Sequence, residues 1–240
     1  KGGKQNICEN DEYDMPVVEQ LQDVWYSKDL IRWNISTSEA SFGPRAFHAA
    51  VVFQDAMWIF GGGSSDCKYQ VENNITVHLC QDAWFSSDSK TWTAIVSNHK
   101  ETWWYPRIGH SVAVFENRVW IFGGVGVSTH AYPEVFRDVW FNEDPAHSNW
   151  ENVPQDWCLS LVTKCEVGWL GSAAALINGS NNLMFLDGAV SFPQGGGSST
   201  PGNEIVVMQG NSDSKKFNVT GLHFNDLNHT APWAAIGVTA

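Results

Sequence analysis

Two short clusters in this 240-residue chain join side chains capable of acid–base or anion-binding chemistry. Arg45 and His48 lie in Pro-Arg-Ala-Phe-His, and Arg107 and His110 repeat that spacing in Pro-Arg-Ile-Gly-His. Histidine titrates near neutrality and arginine grips carboxylates in a planar fork, so such a pair can move a proton or hold an anion. Regular recurrence points to the second use: a pair repeated at one position of a repeated unit is expected to bond backbone or acidic groups beside the inner strands. His78, His130 and Tyr132 are further ligand-type side chains. Trp103-Trp104-Tyr105 is an aromatic run that can stack on a sugar ring or anchor a protein partner, or else pack between neighbouring units.

The cysteines and asparagines carry a second chemistry. Cys67 with Cys80 would close one loop and Cys158 with Cys165 a smaller one, each bridge contributing about 2–4 kcal/mol by restricting the unfolded chain. Neither spacing has the close ligand pairs of a zinc site, and Cys8 is left over. Asn34, Asn74, Asn178, Asn218 and Asn228 each begin an Asn-x-Ser/Thr acceptor pattern for N-glycosylation. Bridges and acceptors together predict a secreted protein or one of the secretory-pathway lumen, glycosylated and disulfide-bonded.

The elements that must position these residues come in repeats. The stretch 44–63 reads PRAFHAAVVFQDAMWIFGGG and 106–125 reads PRIGHSVAVFENRVWIFGGV, aligned without a gap. Each predicts an antiparallel hairpin: in the first, strands over Ala49–Phe53 and 57–60 joined at Gln54-Asp55, ending at a double glycine. Apolar runs without strict alternation predict strands buried on both faces. Downstream, Asp82-Ala83-Trp84-Phe85 and Trp92 recur as Asp138-Val139-Trp140-Phe141 and Trp150. Four short strands per unit is the content of a propeller blade.

With its Arg-x-x-His start, double glycine, Asp-x-Trp third strand and the Trp opening the fourth, the chain resembles the kelch family over most of its length. The resemblance implies an all-β fold, a β-propeller of four-stranded antiparallel blades, here a partial ring of about three and a half blades. A half blade spans 1–40, in which Asp23, Trp25 and Trp33 fall on Asp82, Trp84 and Trp92. Blades follow at 41–99 and 102–155, with a divergent one at 166–222, where Trp169 replaces the arginine and Ser172 the histidine. Residues 223–240 are a C-terminal segment whose 234–240 stretch is a possible closing strand. The chain reads as part of a longer protein that starts in mid-propeller. Ser27-Lys28-Asp29 and Ser86-Ser87-Asp88 resemble shortened Asp-box turns of sialidase-like propellers; their expected role is to bond local backbone, and the arginines are too few and scattered for a sialidase.

In such a fold the turns Gln54-Asp55 and Glu116-Asn117 belong to one face, and the long loops gather on the other. That face would display His78, Trp103, Trp104, Tyr105, His130 and Tyr132. The net charge of −12 argues against nucleic acid, and no apolar run reaches the ~20 residues of a membrane helix. No nucleophile elbow, paired carboxylates or phosphate loop is found, and no cofactor or metal is expected. The expected function is a non-catalytic interaction or scaffold module binding protein or glycan through the long-loop face, in a larger assembly. The alternatives are a lectin-like module using Trp103, Trp104 or Tyr105, and a copper oxidase resembling galactose oxidase, which also uses kelch-like blades.

Overall fold

The computed structural model describes residues 20–96, 103–128, 133–136, 138–146 and 150–153, and beyond them the backbone of the strands within 169–223. Among these residues the chain is all-β, in several small antiparallel sheets, with a single-turn 3-10 helix at Glu72–Asn74. Strands β1 (Val24–Ser27) and β2 (Trp33–Thr37) form a two-stranded sheet. Unit one follows with β3 (Ala49–Phe53), β4 (Ala56–Phe60), β5 (Tyr69–Gln70), β6 (Thr76–Val77), β7 (Asp82–Ser86) and β8 (Thr93–Val96). Unit two contains β9 (Arg107–Ile108), β10 (Ser111–Phe115), β11 (Arg118–Phe122), β12 (Val125–Gly126), β13 (Glu134–Val135), β14 (Val139–Asn142) and β15 (Glu151–Asn152). Unit three contains β16 (Trp169–Leu170), β17 (Ala173–Leu176), β18 (Asn182–Leu186), β19 (Ala189–Val190), β20 (Thr200–Pro201), β21 (Glu204–Gly210) and β22 (Phe217–His223).

Three of the sheets share one plan. The orders β3-β4-β7-β8, β10-β11-β14-β15 and β17-β18-β21-β22 are each four-stranded and antiparallel, and β10 packs between β3 and β17. The hairpins turn where both central residues take positive φ, 49° and 58° at Gln54 and Asp55, 49° and 55° at Glu116 and Asn117. That is the backbone of a two-residue type I′ turn, whose twist matches the flanking strands. The register then pairs Val51 with Trp58 and Ala113 with Trp120. Each tryptophan donates Nε1–H to a carbonyl across its own hairpin, Trp58 to Phe53 at 3.1 Å and Trp120 to Phe115 at 2.9 Å.

The expectation of strands buried on both faces holds only for the second strand of each hairpin. In β4 and β11, residues 58–60 and 119–122 are buried throughout. The first strands alternate instead, with Ala50 and Val52 of β3 exposed and Ser111, Ala113 and Phe115 of β10 buried. A first strand has a ladder partner on one side only. Its outward residues are covered where a neighbouring sheet lies against them and bare where none does.

One core cluster fills the space between units one and two. Phe53, Trp58, Phe60 and Ala83 of unit one meet Val119, Ile121 and Trp150 of unit two. Backbone bonds cross the same boundary, Gly62 N–H to the Arg107 carbonyl at 3.0 Å and Gly109 N–H to the Phe47 carbonyl at 3.1 Å. A second cluster, of Ala40, Phe42, Ile59 and Trp92 with Val24, Met57 and Trp84 beside it, joins unit one to the β1–β2 sheet.

Candidate interaction face

The two arginines are fixed by the strands that flank them, and their roles are the same. Arg45 places Nη1 and Nη2 on the Asp82 carboxylate at 2.9 and 3.0 Å, and donates to the carbonyls of Gly61 at 3.0 Å and Phe42 at 3.1 Å. Arg107 forks onto Asp138 at 2.7 and 2.8 Å and donates to the Gly123 carbonyl at 2.7 Å and the Tyr105 carbonyl at 2.9 Å. Each aspartate also accepts the indole N–H two residues on, from Trp84 at 2.8 Å and from Trp140 at 2.7 Å. The guanidinium therefore ties the start of the first strand to the double glycine after the second and to the third strand. Nε, Nη1 and Nη2 of both arginines are all engaged in structural bonds, as the recurrence of the pair implied. The acidic partners were legible as the Asp-x-Trp repeats.

The histidines lie on either side of a double glycine. A Cβ on Gly61 would come within 3.1 Å of His110 Cε1, and one on Gly62 within 3.0 Å of His48 Cβ. His110 is buried, and neither ring nitrogen has a hydrogen-bond partner of good geometry. Burial, then the charge of Arg107 and the proximity of His48, push its pKa down to about 3; the Phe60 backbone opposes this weakly. His48 keeps an exposed edge, and crowding of the rest of the ring together with Arg45 lowers its pKa, while Asp82 acts the other way. The buried ring of His110 is held neutral at ordinary pH.

The aromatic run is not on the surface. Trp103 and Trp104 are 2% and 0% exposed, so they offer no stacking platform, and their placement on the displayed face is corrected to the core. Their rings pair with each other at 5.9 Å and each meets Trp150 at 6.4 Å. The chain crosses here from one unit to the next, and the largest apolar surface available is buried in the seam. The Trp104 carbonyl accepts Gln81 Nε2–H at 2.8 Å, which fastens that crossing. Tyr105 is half-buried and stacks on Phe136 at 6.0 Å.

What stands out on this face is the loop between β4 and β7. Cys67 and Cys80 form a disulfide across it, with Cα atoms 5.1 Å apart. Between them β5 and β6 pair around the turn at Glu72–Asn74, and Gln70 Nε2–H donates to Thr76 Oγ1 at 2.6 Å. His78 is exposed, its Nδ1 3.1 Å from the Cys67 carbonyl, and Ile75 is 45% exposed. The two cysteine sulfurs lie within 4.8 Å of an Asp82 oxygen, but sulfurs bonded to one another are not thiolate ligands for a metal. Asn74 is exposed at the loop tip and Asn34 is exposed on β2. Asn218 lies on β22, opposite Gln209. His130, Tyr132, Cys8, Cys158, Cys165, Asn178 and Asn228 lie outside the described residues.

The serine–aspartate turns are structural. Asp88 Oδ1 accepts the N–H groups of Lys90 at 2.8 Å and Thr91 at 2.7 Å, which with burial opposing hold its pKa down at about 2. Asp29 accepts from Ile31 and Arg32 in the same way, and its pKa is lowered for the same reason.

No family model matches the chain. Over 138 residues it is 30% identical to Ras guanine nucleotide exchange factor F of Dictyostelium discoideum, covering 55% of this chain and 11% of that protein. It is 27% identical over 138 residues to the leucine-zipper-like transcriptional regulator 1 homolog of Drosophila melanogaster, 53% of this chain and 13% of the relative. With the dynein alpha chain of the flagellar outer arm of Chlamydomonas reinhardtii it shares 30% over 129 residues, 53% of this chain and 2% of the relative. The chain thus spans a small part of each, and what those whole proteins do does not pass to it. Among solved structures, that of YjhT is similar at 18% identity and a TM-score of 0.41, covering 61% of this chain and 34% of that one, a likeness on which nothing further rests.

Proposed function

We propose that the chain is a kelch-like β-propeller segment that acts as a non-catalytic protein-interaction module in an oxidising, secretory compartment. The observation that carries this reading is the loop closed by Cys67 and Cys80, a small hairpin standing on a rigid sheet with Ile75 and His78 exposed. A loop that is already ordered gives up little conformational entropy on binding, which is what a recognition surface gains from a staple. The side-by-side packing of four-stranded sheets through their first strands supports radial blades. The exposure of Asn34 and Asn74 supports the compartment, because an acceptor must be reachable by the transferase. Burial of Trp103 and Trp104 takes away two of the three side chains offered for stacking on a sugar, which favours a protein over a glycan as the partner.

The test is comparative capture from the native extracellular or lumenal fraction with three baits. They are the unaltered chain, an Ile75→Asp/His78→Ala variant, and an Asn117→Gly control in the short turn of the opposite face. A saturable protein partner whose recovery falls at least tenfold with the loop variant and is unchanged with the control is expected. Equal recovery by all three, or no saturable partner, overturns the reading.

A further inference from the structure

The loop between β4 and β7 brings together three donor atoms that the chain spacing keeps apart. Cys67 and Cys80 have a sequence separation of 13, far wider than the close ligand pairs of a zinc finger, yet the pairing of β5 with β6 sets them side by side at the foot of the loop. Asp82 follows at the start of β7 and puts a carboxylate oxygen beside both sulfurs, all three atoms lying within 4.8 Å of one another. Cys80 is buried, whereas Cys67 is half-buried and the Asp82 side chain 18% exposed, so the cluster is reached from the Cys67 side. Bonded to one another, the sulfurs carry no charge to offer a cation. Opening the bridge turns the same three positions into two thiolates and a carboxylate.

Two further observations bear on that donor set. The first is that the cysteines do not depend on the bridge alone for their positions. Cys67 N–H donates to the Ser64 carbonyl at 3.1 Å, Ser64 N–H to the His78 carbonyl at 3.1 Å and Cys80 N–H to the Gly62 carbonyl at 2.8 Å. These bonds keep the pair together when the bridge is cut, and the sulfurs then need to part only to about 3.8 Å, the separation of two thiolates on one tetrahedral zinc. The second is the state of the carboxylate. An ionised carboxylate has about four acceptor positions; on Asp82 the Arg45 fork takes two and the Trp84 indole N–H one, which leaves room for a metal. Charge agrees, because two thiolates and one carboxylate balance a divalent cation together with the Arg45 guanidinium, so the filled cluster is neutral where water is scarce.

We infer that the reduced chain holds a zinc ion on Cys67 Sγ, Cys80 Sγ and one Asp82 oxygen, with water completing the tetrahedron, and that disulfide and zinc are alternative fastenings of one loop. A dithiol reductant opens the bridge. One of its thiolates attacks Cys67 Sγ, the more exposed sulfur, and Cys80 leaves as a thiolate; its second thiol then displaces Cys67, so the reductant becomes a disulfide while two electrons and two protons pass to the cysteines. Zinc releases those protons on binding and does not itself change oxidation state. Thiolate donors select zinc over magnesium or calcium. His78 is not counted among the ligands, since its Nδ1 already meets the Cys67 carbonyl. The site belongs to the reduced chain, and it stands or falls apart from the partner proposed for the bridged loop.

The test titrates the full chain, reduced and then freed of reductant, with cobalt(II) as the spectroscopic stand-in and zinc as its competitor. Saturable thiolate-to-cobalt charge-transfer absorption is expected from the reduced chain, abolished by zinc and not shown by the oxidised chain. Because Cys8, Cys158 and Cys165 are also thiols under these conditions, the site is located by alkylation of the unaltered reduced chain. Zinc should slow modification of Cys67 and Cys80 at least tenfold and leave the other three as they were. Asp82→Asn should weaken zinc binding by about tenfold or more, whereas Arg45→Gln, which breaks the same ion pair but leaves the carboxylate, should retain it. No charge-transfer absorption, equal absorption from the oxidised chain, protection centred on the other cysteines, or equal losses in the two variants would overturn the inference. So would a reduced chain that unfolds and takes up no zinc. The alkylation measurement uses the unaltered chain and stands even if either variant folds poorly.

Discussion

Replacing Arg107 with glutamine is expected to cost about 3–5 kcal/mol of stability, the usual consequence of removing one member of a buried ion pair. The side chain of Arg107 is 0% exposed and that of Asp138 14%, so the carboxylate left behind has little access to water. The carbonyls of Gly123 and Tyr105 lose their donors as well, and a glutamine amide reaches only one of these partners at a time. Cation–π contact is lost too, because the guanidinium lies 4.3 Å from the Phe136 ring centre. Arg45→Gln should cost less, since Arg45 stands 5.7 Å from the Phe42 ring and its acid is 18% exposed. The assay is urea unfolding followed by tryptophan fluorescence, for Arg107→Gln, Asp138→Asn and the double variant. Coupling of about 2 kcal/mol or more between the two sites is expected. A loss below about 1 kcal/mol for Arg107→Gln, or additive effects, would show that the fork is not what closes the unit.

Three other perturbations follow from the same geometry. The native state binds its proton on His110 only near pH 3, while the unfolded chain binds one near the ordinary histidine value. Stability is therefore complete above about pH 6.5 and falls with acid, by about 1.4 kcal/mol per pH unit at most; His110→Leu should flatten that part of the pH profile of urea midpoints, and an unchanged slope would refute the assignment. Cys67→Ser/Cys80→Ser opens a loop with a sequence separation of 13, for which restriction of the unfolded chain is worth about 3 kcal/mol, measured as a loss of urea stability. Gly124→Ala puts a Cβ 2.8 Å from both His110 Cβ and the Ile108 carbonyl at a φ of 95°, so a loss of at least about 2 kcal/mol is expected, and a neutral result would show that this seam can yield.

How far the sequence could be read depended on repetition. The hairpins, their turns, the Asp-x-Trp strands and the bridge between Cys67 and Cys80 recur or pair in ways that chain spacing displays, and each appears in the fold. Burial of Trp103 and Trp104 was not legible, because an aromatic run has the same composition in a seam as on a binding face; only the crossing between units decides it. The short pairings β5–β6 and β9–β12–β13 were missed for a related reason: strands of two residues have no period to detect. The bare outer residues of β3 were likewise invisible, since exposure there depends on whether another sheet lies alongside, and Val52 and Val114 have the same local sequence setting.

The proposed function rests on the stapled, exposed loop in an oxidising compartment, and unreduced peptide mass mapping of the native protein tests that most directly. The account predicts a peptide pair linked through Cys67 and Cys80, together with glycan mass on Asn34 or Asn74. Free thiols at both cysteines and bare asparagines would contradict it, leaving the loop unstapled and the compartment reducing.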